Sequence, residues 1–156
     1  MSAASGSNMT IDYKLFDAGW AEASFSSSSK SHMVVVSYIH DSLRDLAKAA
    51  IVLGDEAETV TVIFLDEPGE HQLILDRLSG NNLNVSIRCF EDWTTGVPFP
   101  ETEFTTVFEA TTTISLFRSE VARVLTSLLE EHGEAGYREK WVLYDFPMAE
   151  YRRLLA

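Results

Sequence analysis

The segment TVTVIFLDEPGEHQLILDRLSGNNLNVSIRCFE, residues 59–91, decides the fold because it contains three strand-like runs and two turn signals. Strands are predicted at residues 59–65, 71–78 and 83–90. Each run is rich in the β-branched and apolar residues that suit a pleated sheet. Pro68 and Gly69 favour the first turn, and the glycine and asparagines of residues 79–82 favour the second. We therefore expect a compact antiparallel meander.

Apolar residues recur at helical spacing on both sides of this meander. A first helix is predicted at about residues 38–53, with Ser37 as its N-cap. A second helix is predicted to begin near Ser115 and to end before Gly133. A short C-terminal helix is expected after Pro147, because proline is tolerated at the first helical position.

The remaining strand-like runs complete an α+β domain. They are predicted at residues 10–16, 19–25, 33–36 and 104–113. The expected fold is an antiparallel β-meander sheet of about five to six strands, packed against two long helices, with a short C-terminal helix. Residues 1–8 have the composition of a disordered tail or an artificial linker, so a single domain is predicted for residues 9–156.

The composition excludes several classes of function. The net charge is -12 and the pI is about 4.6, which argues against binding to nucleic acids or anionic membranes. An acidic surface can instead attract a basic protein partner. The single cysteine excludes an internal disulfide framework. No apolar run long enough for a membrane span and no signal peptide is recognised, so a cytoplasmic location is expected.

Two acidic runs are the main electrostatic feature. Residues 55–70 contain six acidic residues, residues 91–109 contain five, and neither run contains a lysine or arginine. Because strand ends of a meander collect at the edges of the sheet, we expect the two runs to meet and to engage a basic partner. The candidate partner-binding residues are Glu56, Glu58, Glu67, Glu70, Asp92, Glu101 and Glu103. An ordinary solvated surface is the alternative interpretation.

Motifs for catalysis or for metal and cofactor binding are missing from the sequence. The histidines are His32, His40, His71 and His132, and none pairs with another at metal-ligand spacing. His40 with Asp41 and Asp45 could form a general base oriented by a carboxylate, but an ordinary polar helix face is the favoured interpretation. We therefore predict no catalytic residue, no metal and no cofactor.

Cys89 is predicted to be a buried and unreactive thiol. The period of two places it on the same strand face as Leu83, Val85 and Ile87. Apolar surroundings raise the pKa of a thiol and reduce its reactivity.

Three strings carry a resemblance to a known group of proteins. They are SYIHDSLRDLAKAA (37–50), FLDEPGE (64–70) and GYREKW (136–141), the last followed by Phe146 and Pro147. The chain from about Trp20 onward resembles a family of small uncharacterised bacterial αβ proteins with immunity-type and other partner-binding roles. The resemblance implies a binding module and brings no active site with it.

Three hypotheses for the function follow. The first is a non-enzymatic module that binds a macromolecule through an acidic surface, such as an immunity-type inhibitor of a basic toxin. The second is a small-molecule-binding protein or weak hydrolase with a cleft near Trp93, in the loop of residues 92–100. The third is a homo-oligomeric structural module.

Overall fold

The computed structural model describes residues 8–100 and 102–156 and shows an α+β protein. Within these residues the chain forms seven strands and three helices. In order they are β1 (Met9–Leu15), β2 (Trp20–Ser27), β3 (Ser31–Ser37), α1 (Ser42–Asp55), β4 (Thr59–Leu65), β5 (Glu70–Arg77), β6 (Asn82–Phe90), β7 (Thr105–Thr113), α2 (Ile114–Trp141) and α3 (Met148–Leu155).

The predicted meander is confirmed. β4, β5 and β6 pair as consecutive antiparallel strands, and β7 adds a fourth strand beside β6. The register aligns Leu65 with Glu70 and Glu70 with Phe90. The end of β4, the start of β5 and the end of β6 therefore lie together at one end of this sheet.

The prediction of one sheet of five to six strands is wrong. The strands form two antiparallel sheets, β1-β2-β3 and β4-β5-β6-β7. The reason lies at the outer edge of β4, where the Ser42 hydroxyl donates to the Ile63 carbonyl oxygen at 2.7 Å. The Ile63 N–H donates to the Asp45 carboxylate at 3.1 Å. These groups of α1 occupy the positions through which a further strand would pair with β4.

The edge of β1 is covered in the same way by α2. The Ile11 N–H donates to Glu120 Oε1 at 2.9 Å, and the Arg123 guanidinium donates to the Ile11 carbonyl oxygen. Each sheet thus has one edge strand on which the backbone N–H and C=O of one residue bond to helix side chains.

One hydrophobic core joins the two sheets and the helices. Phe25 of β2 packs against Phe64 of β4 and Phe108 of β7, with ring centroids 6.1 Å and 6.4 Å apart. Leu46 of α1 and Leu125 of α2 are fully buried, as the helical spacing predicts.

Both long helices differ from their predicted bounds. α1 begins at Ser42, because the Tyr38 N–H bonds to the Gly19 carbonyl oxygen and the Ser37 hydroxyl donates to Glu67. α2 continues past Gly133 to Trp141, with a local kink at that glycine, where φ is 69° and ψ is 171°. The predicted C-terminal helix is confirmed as α3. No helix in the described part of the chain is long and apolar enough to cross a membrane.

Replacing Leu125 by alanine should lower the free energy of unfolding by about 2–5 kcal/mol, because the side chain is fully buried and the truncation leaves a cavity. Urea denaturation measures this loss. Leu155, which is 58% exposed, provides the matched control, and its replacement by alanine should change stability by less than about 0.5 kcal/mol. Equal losses for the two variants would contradict the assignment of the core.

Candidate functional site

The candidate site lies at the end of the four-stranded sheet where β4 and β6 end and β5 begins. Two connections meet there: the turn of residues 66–69 and the loop that begins at Glu91 after β6. Trp93 joins them, since its indole N–H donates to the Asp66 carbonyl oxygen at 2.7 Å. Gly69, at a φ of 118°, supports the sharp turn with a conformation that favours glycine.

Glu70 holds this loop in place through hydrogen bonds. Its side chain is fully buried, and its carboxylate accepts five hydrogen bonds. The backbone N–H groups of Thr94 and Thr95 donate at 2.9 Å and 3.0 Å, and their hydroxyls donate at 3.0 Å and 3.1 Å. The Gln72 amide donates at 2.7 Å. These bonds stabilise the ionised form at a position where a buried charge would otherwise be unfavourable.

The pKa of Glu70 reflects this balance. Burial alone raises the pKa of a carboxyl group, but the hydrogen bonds from Gln72, Thr95 and Thr94 outweigh it and hold the pKa below its ordinary value. Glu70 is therefore an ionised structural anchor of the loop.

A cavity of about 410 Å³ lies between the turn and the loop. Its lining combines an indole ring, two carboxylates and two apolar side chains. The lining residues are Glu67, Pro68, Asp92, Trp93 and Val97. We call it the Trp93 cavity. Both carboxylates belong to exposed residues, and Glu67 also accepts a hydrogen bond of 2.5 Å from the buried Ser37 hydroxyl.

The Trp93 cavity differs in charge from a second cavity of about 280 Å³ between β1, β2 and α2. That cavity contains Asp12 and Glu22 but also Lys14 and Arg123, and Arg123 lies 3.4 Å from the Asp12 carboxylate. Its charges compensate one another. The Trp93 cavity has carboxylates and no basic residue in its lining, so it favours a cation.

The structure brings together only some of the predicted partner-binding residues. Glu67 and Asp92 line the Trp93 cavity, and Glu103 precedes β7 at the same end of the sheet. Glu56 and Glu58 lie before β4, at the opposite end. Because β4 has seven residues, its ends are about 20 Å apart. The prediction that the two acidic runs meet is therefore wrong for Glu56 and Glu58.

Glu70 is fully buried, so it cannot belong to an exposed acidic surface. The sequence pattern missed this because the register of β5 and the position of the threonines decide its environment. Glu101 lies outside the described residues.

His40 and Asp45 form a pair, with 3.0 Å between Nε2 and Oδ2. The hydrogen bond to Asp45 raises the pKa of His40. The same Asp45 carboxylate accepts a hydrogen bond from the Ile63 N–H, so it satisfies a backbone group at the outer edge of β4. Asp41 faces Arg44, at 3.8 Å, and burial raises its pKa. Because α1 begins at Ser42, the predicted helix face is wrong for His40 and Asp41, which precede the helix. The contacts of Asp45 with His40 and Ile63 are those of a structural polar group.

Cys89 is only half-buried, so the predicted full burial of this thiol is wrong. Leu83, Val85 and Ile87 are fully buried on the same strand. Cys89 lies farther along, near the end of the sheet, where the register of the pairing with β7 shifts between Ile87 and Arg88. Its reactivity stays a prediction.

Sequence spacing also missed a contact between His32 and His71. Their Nε2 atoms lie 3.3 Å apart although 39 positions separate them in the chain. Among the described residues, no group of three or more histidine, cysteine, aspartate or glutamate side chains is arranged to hold a metal ion.

No family model matches this chain, and neither a curated protein nor a solved structure is significantly similar to it. The functional assignment therefore depends on the fold and on the chemistry of the site.

Replacing Glu70 by glutamine should lower the free energy of unfolding by about 3 kcal/mol at pH 7, since the amide cannot accept all the hydrogen bonds of the carboxylate. The folded pKa lies below the ordinary glutamate value of about 4.3, so the stabilisation is complete above that pH and decreases as the pH falls through the folded pKa. Denaturant titrations at pH 7 and at about pH 3 measure both effects.

Glu58→Gln is the control, because this side chain is exposed at the opposite end of the sheet. A stability difference between wild type and Glu70→Gln that stays constant down to about pH 3 would contradict the role of the ionised carboxylate.

Proposed function

We propose that this protein is a non-enzymatic binding module that takes up a basic side chain of a partner protein in the Trp93 cavity. The observation that supports it is the combination of an indole ring with the carboxylates of Glu67 and Asp92 around one opening. A cation is attracted both by the face of an aromatic ring and by carboxylates.

Arginine fits this combination better than lysine. Its planar guanidinium stacks on an aromatic face and can donate paired hydrogen bonds to a carboxylate, whereas lysine acts as a point charge. The volume of about 410 Å³ lies within the usual range of ligand pockets, which is about 300–1,000 Å³.

The surroundings of the cavity support a protein partner. Phe99, on the same loop, is 94% exposed, and Phe104 is 45% exposed. Exposed aromatic side chains are typical anchors of protein interfaces. The ring of Phe104 also packs against Phe90 and the Arg88 guanidinium. The bonds that Glu70 makes to Thr94 and Thr95 hold the loop before any partner arrives, which lowers the entropy cost of binding.

An immunity-type inhibitor of a basic toxin is the specific form of this proposal. The resemblance of three sequence strings implies such a role, and the net charge of -12 is compatible with it. A cytoplasmic location belongs to the same proposal, since an inhibitor of this type would protect the cell that produces it.

A second candidate function uses the same cavity for a small cationic molecule. The volume of the cavity favours it, and the notion of a weak hydrolase near Trp93 is a variant of it. The two candidates differ in what they require of Phe99. A protein partner would contact this exposed ring, whereas a small molecule held between Trp93 and Asp92 would not.

A defined probe can test the cation site. An arginine-containing peptide should shift the Trp93 indole resonance in NMR titrations, and the same peptide with citrulline should not, because citrulline has the shape of arginine without its charge. Asp92→Lys should weaken arginine-peptide binding by about tenfold or more, since it replaces attraction by repulsion. Binding should also weaken as salt is raised, because exposed charges are screened over about 8 Å at physiological ionic strength.

Glu56→Lys makes the same change of charge at the opposite end of the sheet and should leave binding nearly unchanged. Phe99→Ala should weaken binding of a long basic peptide and spare N-acetyl-arginine amide if the partner is a protein. Equal affinity for the arginine and citrulline peptides, or an equal loss in Asp92→Lys and Glu56→Lys, would overturn the proposal.

A further inference from the structure

A pair of histidines bridges the two sheets. His32 belongs to β3 and His71 to β5, and their Nε2 atoms lie 3.3 Å apart. In the strand registers His32 is opposite Phe25 and His71 is opposite Phe64. Since these two phenylalanines pack on each other in the core, both imidazoles lie on the facing sides of the two sheets, at the boundary of the core.

We propose that His32 and His71 form a binding site for Zn²⁺ that links the two sheets. Zinc–imidazole bonds are about 2.0–2.1 Å long, so nitrogens 3.3 Å apart correspond to an angle of about 107° at the metal. This angle is close to tetrahedral. The same separation permits an N–H···N hydrogen bond between the two rings in the metal-free protein, which a bound Zn²⁺ would replace.

Both imidazoles are in the protonation state that a metal ligand needs. Burial lowers the pKa of His32, and burial together with His32 lowers the pKa of His71 to about 4. Both imidazoles are therefore neutral at pH 7, which is the form that binds metals. The negative charge of Asp66 acts to raise the pKa of His71, so it favours a positive charge at this position.

The site would be open. Two imidazoles supply two of the four positions of a tetrahedral ion, and His32 is exposed enough for water to complete the set. His71 Nδ1 is buried and makes no hydrogen bond within the described structure, so no acceptor orients the ring from behind. We therefore expect weaker binding than at a structural zinc site with four protein ligands.

Thermal unfolding and calorimetric titration of the protein, prepared without an affinity tag and freed of metal with a chelator, test this proposal. Zn²⁺ should raise the Tm of the wild type, because a ligand that binds only the folded state stabilises it. His32→Gln and His71→Gln should each abolish the rise, measured against the metal-free Tm of the same variant, and should weaken Zn²⁺ binding at least about tenfold. Co²⁺ should give the visible absorption of a tetrahedral site in the wild type and lose it in both variants.

Two matched controls separate this site from other ligands. His132→Gln removes a histidine elsewhere in the chain, and Cys89→Ser removes the thiol opposite His71 in the strand register. Both should keep the rise in Tm. Zn²⁺ binding that persists in His32→Gln and His71→Gln, or that is missing from the wild type at millimolar Zn²⁺, would overturn the proposal.

Discussion

The architecture depends on the way in which helix side chains close the edges of the sheets. Ser42 and Asp45 of α1 bond to both backbone groups of Ile63, and Glu120 and Arg123 of α2 bond to those of Ile11. An edge strand with unpaired backbone groups would otherwise invite another strand. These contacts divide the strands into two sheets and fix each helix against one of them. The two inner faces are thereby placed around Phe25 and the rest of the core.

Arginine side chains also bond to backbone groups near the end of α1. The chain has 12 basic and 24 acidic residues. Some of the arginines bond to backbone carbonyl oxygens. Arg118 and Arg77 donate to the carbonyl oxygens of Ala50 and Ala57 at 3.0 Å, near the C-terminal end of α1. Gly54 makes this approach possible, since a Cβ there would lie 2.6 Å from the Arg118 guanidinium carbon.

The sequence predicts the elements that local patterns determine and misses those that distant contacts determine. The meander of β4, β5 and β6 follows from alternation and turn residues, which are local. The division into two sheets depends on contacts such as that of Ile11 with Glu120, which are 109 positions apart. Likewise, the acidic residues are visible in the sequence, but the burial of Glu70 and the pairing of His32 with His71 follow only from strand register and sheet packing.

Glu70 shows how the fold and the candidate site are connected. A loop can be held by apolar contacts without the free-energy cost of burying a charge, and replacing buried charges by apolar residues often stabilises a protein. Here a fully buried carboxylate holds two consecutive backbone N–H groups, which fixes the direction of the chain after Trp93. Apolar packing is not directional and would permit several loop positions. The buried charge therefore gives the loop one position, and with it one arrangement of the indole and the two carboxylates. Selective recognition of a planar cation requires such a fixed arrangement, because a misplaced carboxylate forfeits the paired hydrogen bonds.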